Sequence, residues 1–280
     1  MQSFVFIAVL IAAACHAGWN ALVKVGFDPL SATTSIAISA AVVSFVCLPF
    51  AGMPAVQAWP WFATSVIIHL LYFAALVESY RTGDLGQVYP IARGSAPLMT
   101  AIVGTVFVGE QLSLLGWSGI ATLAAGVLLM SIGGWQKMQP HRRSIGYALL
   151  TAVTICGYSV TDGIGVRLSE NPPGYVLLLF IVNAITLVSY GLWRDRNSVT
   201  LAMRRLRLRE LAGGTLQVVS YGTVLWAMTI APIAVVASLR ESSVLFSVVI
   251  GILGLKEPLR TGRIAAVGLI LVGLVLLRLQ

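Results

Sequence analysis

Two arginines, Arg93 and Arg240, interrupt long apolar runs. At bilayer depth such a side chain costs about 3 kcal/mol or more, so it marks a functional candidate. A guanidinium stays charged at physiological pH and grips a carboxylate or phosphate with a two-pronged fork. Together, Arg93 and Arg240 could clamp a small anion. The competing reading is internal pairing, with Glu241, Glu78 or Asp162 as partner, which would only hold helices together; a pair that opens for substrate would combine both. Glu241 follows Arg240 and points about 100° away around a helix. It could bind an amine, carry a coupling proton or neutralise an arginine. Ser242 and Ser243 add hydroxyls that could equally bond their own helix backbone. Tyr89 precedes Arg93 by one turn, while Gly94 and Ser95 allow close approach of a ligand or helix. Pro90 and Pro97 weaken the helix on both sides, either to line a cavity or as a packing kink.

Other polar residues fall at helical spacing. His16, Asn20 and Lys24 recur every four residues with Trp19 alongside, which places them on one face. Lys24 can snorkel, so His16 and Asn20 are the better binding candidates. Imidazole titrates near neutrality when unperturbed, which makes His16 and His69 proton-coupling candidates beside Glu241; a packing role competes for each. Tyr72 lies one turn from His69. Thr154, Tyr158 and Asp162 share a face, with Asp162 expected near a helix end, either in the site or as a cap or loop ion pair. Gln217 and Tyr221, with Trp226, could complete an aromatic-walled pocket. The other tryptophans, Trp59, Trp61, Trp117 and Trp193, read as interfacial anchors.

These residues must be held by membrane helices. The 280 residues are 58% hydrophobic and 10% charged, against about 45–50% and about 25% in soluble domains. That excludes a soluble enzyme, a disulfide scaffold and a disordered chain. Cys15, Cys47 and Cys156 are odd in number and far apart, and read as small buried hydrophobes. The N-terminal run lacks the basic start of a cleavable signal peptide. A span needs roughly 20 apolar residues, and ten such segments can be read, at about 3–24, 31–51, 60–80, 86–108, 113–133, 145–165, 174–193, 211–229, 231–254 and 261–279. The fold class is therefore an all-α membrane protein of ten transmembrane helices.

The net charge of +8 sits mainly in the odd-numbered connections, from Lys24 through Arg142, Arg143 and Arg194–Arg209 to Arg263; the other side carries Arg167 and Arg278. The positive-inside rule then puts those connections in the cytoplasm and both termini outside. The stretch 203–209 alternates basic and apolar residues, as a headgroup-level segment or a solvated loop. The excess charge matches anionic lipid rather than nucleic acid.

A shift of 147 lays Arg93 on Arg240, Ser95 on Ser242, Gly104 on Gly251, Glu110 on Glu257 and Gly126 on Gly273. The halves are 1–139 and 140–280, with five spans each. An odd number of spans inverts the second half, a plan of secondary transporters with the substrate site at the repeat interface. Glu110 and Glu257 read as structural, each facing the N-terminus of the next helix across a tight turn. Gly119, Gly126, Gly268 and Gly273 suit close helix packing.

The stretches His16-Ala17-Gly18-Trp19-Asn20-Ala21-Leu22-Val23-Lys24 and Tyr89-Pro90-Ile91-Ala92-Arg93-Gly94-Ser95-Ala96-Pro97, with Gly109-Glu110 and Lys256-Glu257, resemble EamA-type transporters of the drug/metabolite transporter superfamily. The resemblance covers the whole chain and implies an amino-acid or metabolite permease, often an exporter, working by alternating access. It departs in two ways: the family is commonly drawn with cytoplasmic termini, and many relatives carry few charges in the fourth and ninth helices. Phosphate-translocating relatives use basic residues for their anions, and others are associated with phosphonate metabolism.

The expected function is secondary active transport of a small polar anionic or zwitterionic metabolite, such as an amino acid or a phosphonate or carboxylate compound. The alternative is a membrane-embedded enzyme acting on a lipid-linked substrate; a non-transporting partner subunit is a third reading. No ATP-binding loop, metal motif or nucleophile elbow is present in the sequence, so no cofactor or metal is expected. Expected partners are the small-molecule substrate and membrane lipids, not nucleic acid; a homodimer is compatible. The expected location is the inner (plasma) membrane.

Overall fold

The computed structural model describes residues 2–24, 29–82, 85–135, 142–204, 206–255 and 261–280. Among these there is no strand. The helices are α1 Ser3–Lys24, α2 Pro29–Ala51, α3 Trp59–Thr82, α4 Leu85–Phe107, α5 Leu114–Trp135 and α6 Arg142–Leu168. They continue as α7 Pro172–Arg194, α8 Arg196–Arg204, α9 Leu208–Met228, α10 Ile233–Arg240, α11 Ser243–Leu255 and α12 Thr261–Leu279. Seven stretches are long and apolar enough to cross a membrane, namely Ser3–Leu22, Leu30–Ala51, Val56–Ser79, Arg142–Leu168, Pro172–Arg194, Ile233–Ile252 and Gly262–Leu279. Helices α4 and α9 carry more polar residues, and the apolar part of α5, Leu114–Met130, is shorter. The chain is a multi-pass membrane protein. Hydrocarbon has no water for unpaired backbone groups, so helices that satisfy their own are the solution available to such runs.

The exterior is apolar: Phe45, Ile67, Val106, Leu149, Ile185 and Val275 are all exposed. Buried charged and polar residues lie inside, among them Arg93, Asp162, Arg240 and Glu241. That inversion suits lipid as the solvent. Cys47 is exposed rather than buried, since lipid accepts a thiol as readily as a core does; Cys15 is half-buried and Cys156 buried.

Helix ends follow local chemistry. Asn171 Oδ1 accepts from Gly174 N at 3.1 Å and caps α7, whose first residues are prolines that need no partner. Asp195 accepts from the Asn197 and Ser198 amides at the start of α8, and the Ser198 hydroxyl beside it holds its carboxyl below the ordinary range. The stretch 203–209 is thus not one surface segment. It joins the end of α8, with Ser198, Val199 and Ala202 buried, to α9, where Glu210 Oε2 accepts from Arg207 N at 3.1 Å.

Helix continuity differs from expectation in the ninth segment. Helix α4 runs unbroken through Pro90 and Pro97; its neighbours α5 and α6 hold it in place. The ninth segment breaks instead. At Glu241 and Ser242 the ladder tightens: Glu241 N donates to Ser238 O and Ser242 N to Leu239 O, each at 3.0 Å. The run Arg-Glu-Ser-Ser has no apolar face to bury and has side chains that compete for backbone groups, so α10 ends at Arg240 and α11 begins at Ser243.

Packing falls into groups. Helices α3, α4 and α6 lie together, as do α1, α9 and α11; α2 packs on α7, and α5 on α12. The α5–α12 contact is close because a Cβ on Gly126 would come within 2.9 Å of Ala266 O, and one on Gly273 within 2.7 Å of Leu123 N. Gly119 faces Leu277 in the same contact, whereas Gly268 faces open space and is not a packing glycine.

Candidate functional site

The break between α10 and α11 sets the centre of the site. Arg240 and Glu241, in α10 and at its end, meet Arg93 of α4. Arg93 Nε lies 3.2 Å from Glu241 Oε2, and Arg240 Nη2 lies 3.3 Å from Glu241 Oε1. The three residues are 5%, 3% and 0% exposed. The guanidiniums do confront each other, but across a shared carboxylate and not across an open chamber. Internal pairing is therefore real, and it uses Glu241. Glu78 pairs with Arg194 at 3.3 Å instead, and Asp162 pairs with tyrosines.

Two cations share one anion here, so the triad carries an excess positive charge. Hydrogen bonding is also incomplete. Arg93 Nε is close to Glu241 Oε2 but poorly aimed, and both atoms lack a hydrogen-bond partner in the protein. So do Arg240 Nε, Trp19 Nε1 and the hydroxyls of Ser242 and Ser243. Buried polar groups are nearly always satisfied, so these unsatisfied groups set this region apart.

The remaining candidates distribute as follows. His16 accepts a hydrogen bond from Arg93 Nη2 through Nε2, which requires the tautomer protonated at Nδ1. Trp19 meets His16 edge-on at 5.2 Å, and Asn20 Nδ2 donates to His16 O at 2.8 Å. The side chain of Lys24 lies outside the described residues. Tyr89 lies beneath Arg93 at 5.5 Å, and Tyr158 beneath Arg240 at 5.8 Å. His69 stacks on Tyr158 at 4.3 Å, and Tyr72 meets Tyr158 edge-on at 5.5 Å. His69 Nδ1 lies 3.0 Å from Ser65 O. Tyr221 lies 6.2 Å from both Tyr158 and His69. These aromatics make one continuous wall. Ser95 stands two residues past Arg93, about 200° around α4, and so turns away from the triad. Trp226 packs on Phe4 at 6.0 Å and does not reach the wall.

Asp162 was expected near a helix end. It lies inside α6, which continues to Leu168, and is 0% exposed. Its Oδ1 accepts from Tyr175 at 3.0 Å and its Oδ2 accepts from the Tyr221 hydroxyl. Sequence reasoning missed Tyr175, whose place one turn into α7 gives no periodic signal.

Glu110 also differs from expectation. It does cap a helix, but that helix is α10 and not the next one: Ile233 N and Ala234 N donate to it at 2.6 and 3.2 Å. Gly109, at φ +75°, ends α4 with Glu110 N bonded to Gly104 O, and that turn carries the carboxylate to α10. Arg167 joins at 3.1 Å and also donates to Met228 O and Ala231 O. Its repeat counterpart Glu257 lies outside the described residues. Glu110→Gln weakens the hold on α10, and helix-dipole and charge-assisted bonds of this kind contribute about 1–3 kcal/mol. Thermal unfolding of the purified chain in detergent should register that loss, while Glu210→Gln, at an exposed cap, should cost less.

This clasp and a large apolar core, from Val5 and Val9 to Val224–Met228 and Ile233–Leu239, close the end of the bundle that holds Ser3 and Leu279. A cavity of about 400 Å³ at that rim, between Gln2, Pro232 and Gln280, is separate from the arginines. The opposite end is tied by Arg194–Glu78 and by Arg209 Nη2 donating to Leu22 O at 2.7 Å.

Comparison with known proteins follows the same line. The model of the EamA-like transporter family matches residues 3–132 and 142–279. An uncharacterized transporter in the cobO 3' region of Sinorhizobium sp is 43% identical over 63 residues, covering 22% of this chain and 41% of that protein. Multidrug resistance protein EbrB of Bacillus subtilis (strain 168) is 37% identical over 75 residues, covering 27% and 63%. The matches span less than two thirds of these relatives. A protein of known crystal structure superposes with a TM-score of 0.75 at 13% identity, over 99% of this chain and 96% of that one, which shows a shared fold. The first of these relatives is named as a transporter and the second as a multidrug resistance protein. With two family matches spanning nearly its whole length, the chain belongs to the EamA-like transporter family.

Proposed function

We propose that the protein is a secondary transporter of a small anionic or zwitterionic metabolite, such as an amino acid or a phosphonate or carboxylate compound. The observation that carries this is the meeting of Arg93 and Arg240 on Glu241 at a helix break, with more buried donors than the protein itself satisfies. A substrate carboxylate or phosphonate takes the guanidinium forks in place of Glu241. Released, Glu241 accepts the ammonium of a zwitterion. Trp19, Tyr89, Tyr158 and the neighbouring rings shape the space.

The cycle is alternating access between two inverted five-helix repeats, residues 1–139 and 140–280. Exchanging the halves turns the packing of α3 on α6 into that of α9 on α1, and maps α2–α7 and α5–α12 onto themselves, which supports this plan. In ten spans α10 and α11 count as one, and α8 lies at the surface. Arg93 belongs to the α3–α4–α6 group and His16 to α1, while Arg240 and Glu241 stand at the end of α10, which packs on both α4 and α1. An anion bridging both arginines therefore draws the groups together, and its departure frees them. The basic connections place the clasped end outside an inner membrane, with both termini there.

The test is a thermal-shift screen of the purified full-length chain against amino acids, phosphonates and organic carboxylates. A true ligand at about 100 times its Kd stabilises by about 2.7 kcal/mol, and it should show counterflow in sealed vesicles. Stabilisation by no anion or zwitterion, with turnover of a lipid-linked substrate in detergent, would replace transport with catalysis.

A further inference from the structure

We propose that Asp162 binds a coupling proton, and that the Tyr221 hydroxyl ties its occupancy to the packing of the helices. The proposal rests on the transporter reading above. Three other groups are less suited. Glu241 is already shared between two guanidiniums. His16 accepts from Arg93, so protonation would break that bond and add a third cation. His69 has its Nδ1 on Ser65 and its ring stacked on Tyr158.

Asp162 is different. It is fully buried, and among the described residues its hydrogen-bond partners are two tyrosine hydroxyls. A tyrosine hydroxyl donates to a carboxylate and accepts from a carboxylic acid. The site can thus hold either form without a new partner. The groups around it are Tyr158 on its own helix, His69 from α3, Tyr175 from α7, Tyr221 from α9 and, behind the aromatic wall, Arg240 of α10 and Arg93 of α4.

The two donors come from different places. Helix α6 packs chiefly on α3 and α4, whereas α9, which brings Tyr221, packs chiefly on α1 and α2. The Tyr221–Asp162 bond therefore crosses the same seam as Arg93–His16, which joins α4 to α1. When the seam opens, Asp162 loses a donor, and a buried carboxylate short of donors takes up a proton from the water then admitted. When it closes, the Tyr221 hydroxyl again favours the ionised form and the proton leaves. One O–H bond forms and the same bond breaks; nothing else is exchanged. Because Arg93 shares that seam, anion binding and proton binding act on one movement.

The experiment is pH-titrated infrared difference spectroscopy of the full-length chain in lipid vesicles, with carboxyl-13C aspartate and no added substrate. The expected result is an isotope-shifted protonated-carboxyl band that Asp162→Asn abolishes. Tyr221→Phe should change its frequency, since the carboxyl loses one hydrogen-bond partner. If Asp162→Asn does not fold, labelled parent and Tyr221→Phe decide the matter alone. Absence of the band, or a band that Tyr221→Phe leaves unmoved, overturns the proposal. Neither result bears on ligand binding in the thermal-shift screen, so a failure here is distinguishable from a failure of the transporter reading.

Discussion

Arg93→Gln and Arg240→Gln each lower counterflow of an anionic substrate by about ten- to a hundredfold, the cost of one charge-assisted contact of about 1.5–3 kcal/mol. Glutamine keeps length and a hydrogen-bond donor but removes the charge, whereas lysine retains charge and is the weaker test. Each change leaves Glu241 with its other arginine, at 3.3 or 3.2 Å, so the buried carboxylate is not stranded; Arg240→Gln also keeps the tie between α4 and the end of α10, which Arg93→Gln gives up. Expression and thermal unfolding should stay near the parent. Transport at the parent rate in both variants removes the clamp. Loss of folding in both, with no ligand-dependent stabilisation in the parent, leaves the arginines as structural pairs.

Glu241→Gln has the opposite profile and the largest stability effect. It leaves two guanidiniums, 5% and 3% exposed, facing each other without an anion. Breaking a buried pair in this way costs about 3–5 kcal/mol, and here one carboxylate serves two partners. Thermal unfolding should fall steeply, and adding Arg93→Gln to the same chain should recover part of the loss by removing one of the repelling charges. Sulfate or phosphate should stabilise Glu241→Gln more than the parent, since an anion can occupy the place of the missing carboxylate. Equal stability of variant and parent, with no response to these anions, would show that Glu241 does not hold the arginines.

In the proposed function the positive excess of the triad draws an anion and Glu241 holds the arginines together until it is displaced; the break between α10 and α11 lies beside these residues. The clasp of Glu110 and Arg167 on the start of α10 connects one end of the bundle to that break. Helix α10 is thus held at both ends by charged side chains from the first half, Glu110 and Arg93.

Much of this was legible in the residues. Runs of about 20 apolar residues marked the helices, and the expected segments agree with α1–α7, α9 and α12 within a few residues. Arg93 and Arg240 stood out because charge is rare in the chain. His16, Trp19, Tyr89, Tyr158 and Tyr221 do gather near them. Other features were not legible. The ninth segment was read as one helix and breaks at Arg-Glu-Ser-Ser, where no proline stands. Glu110 was read against its neighbour in sequence and caps a helix 123 positions away. The partners of Asp162, Tyr175 and Tyr221, come from two other helices.

Hydropathy alone determined that this chain lies in a membrane as helices with charge at depth, because hydrocarbon admits few other solutions for a backbone. Which charge meets which was decided only by tertiary packing. A residue facing lipid and one facing a neighbouring helix are equally apolar in sequence, so the relative rotation of the helices leaves no mark there. That rotation is what puts one carboxylate between two arginines and another between two tyrosines.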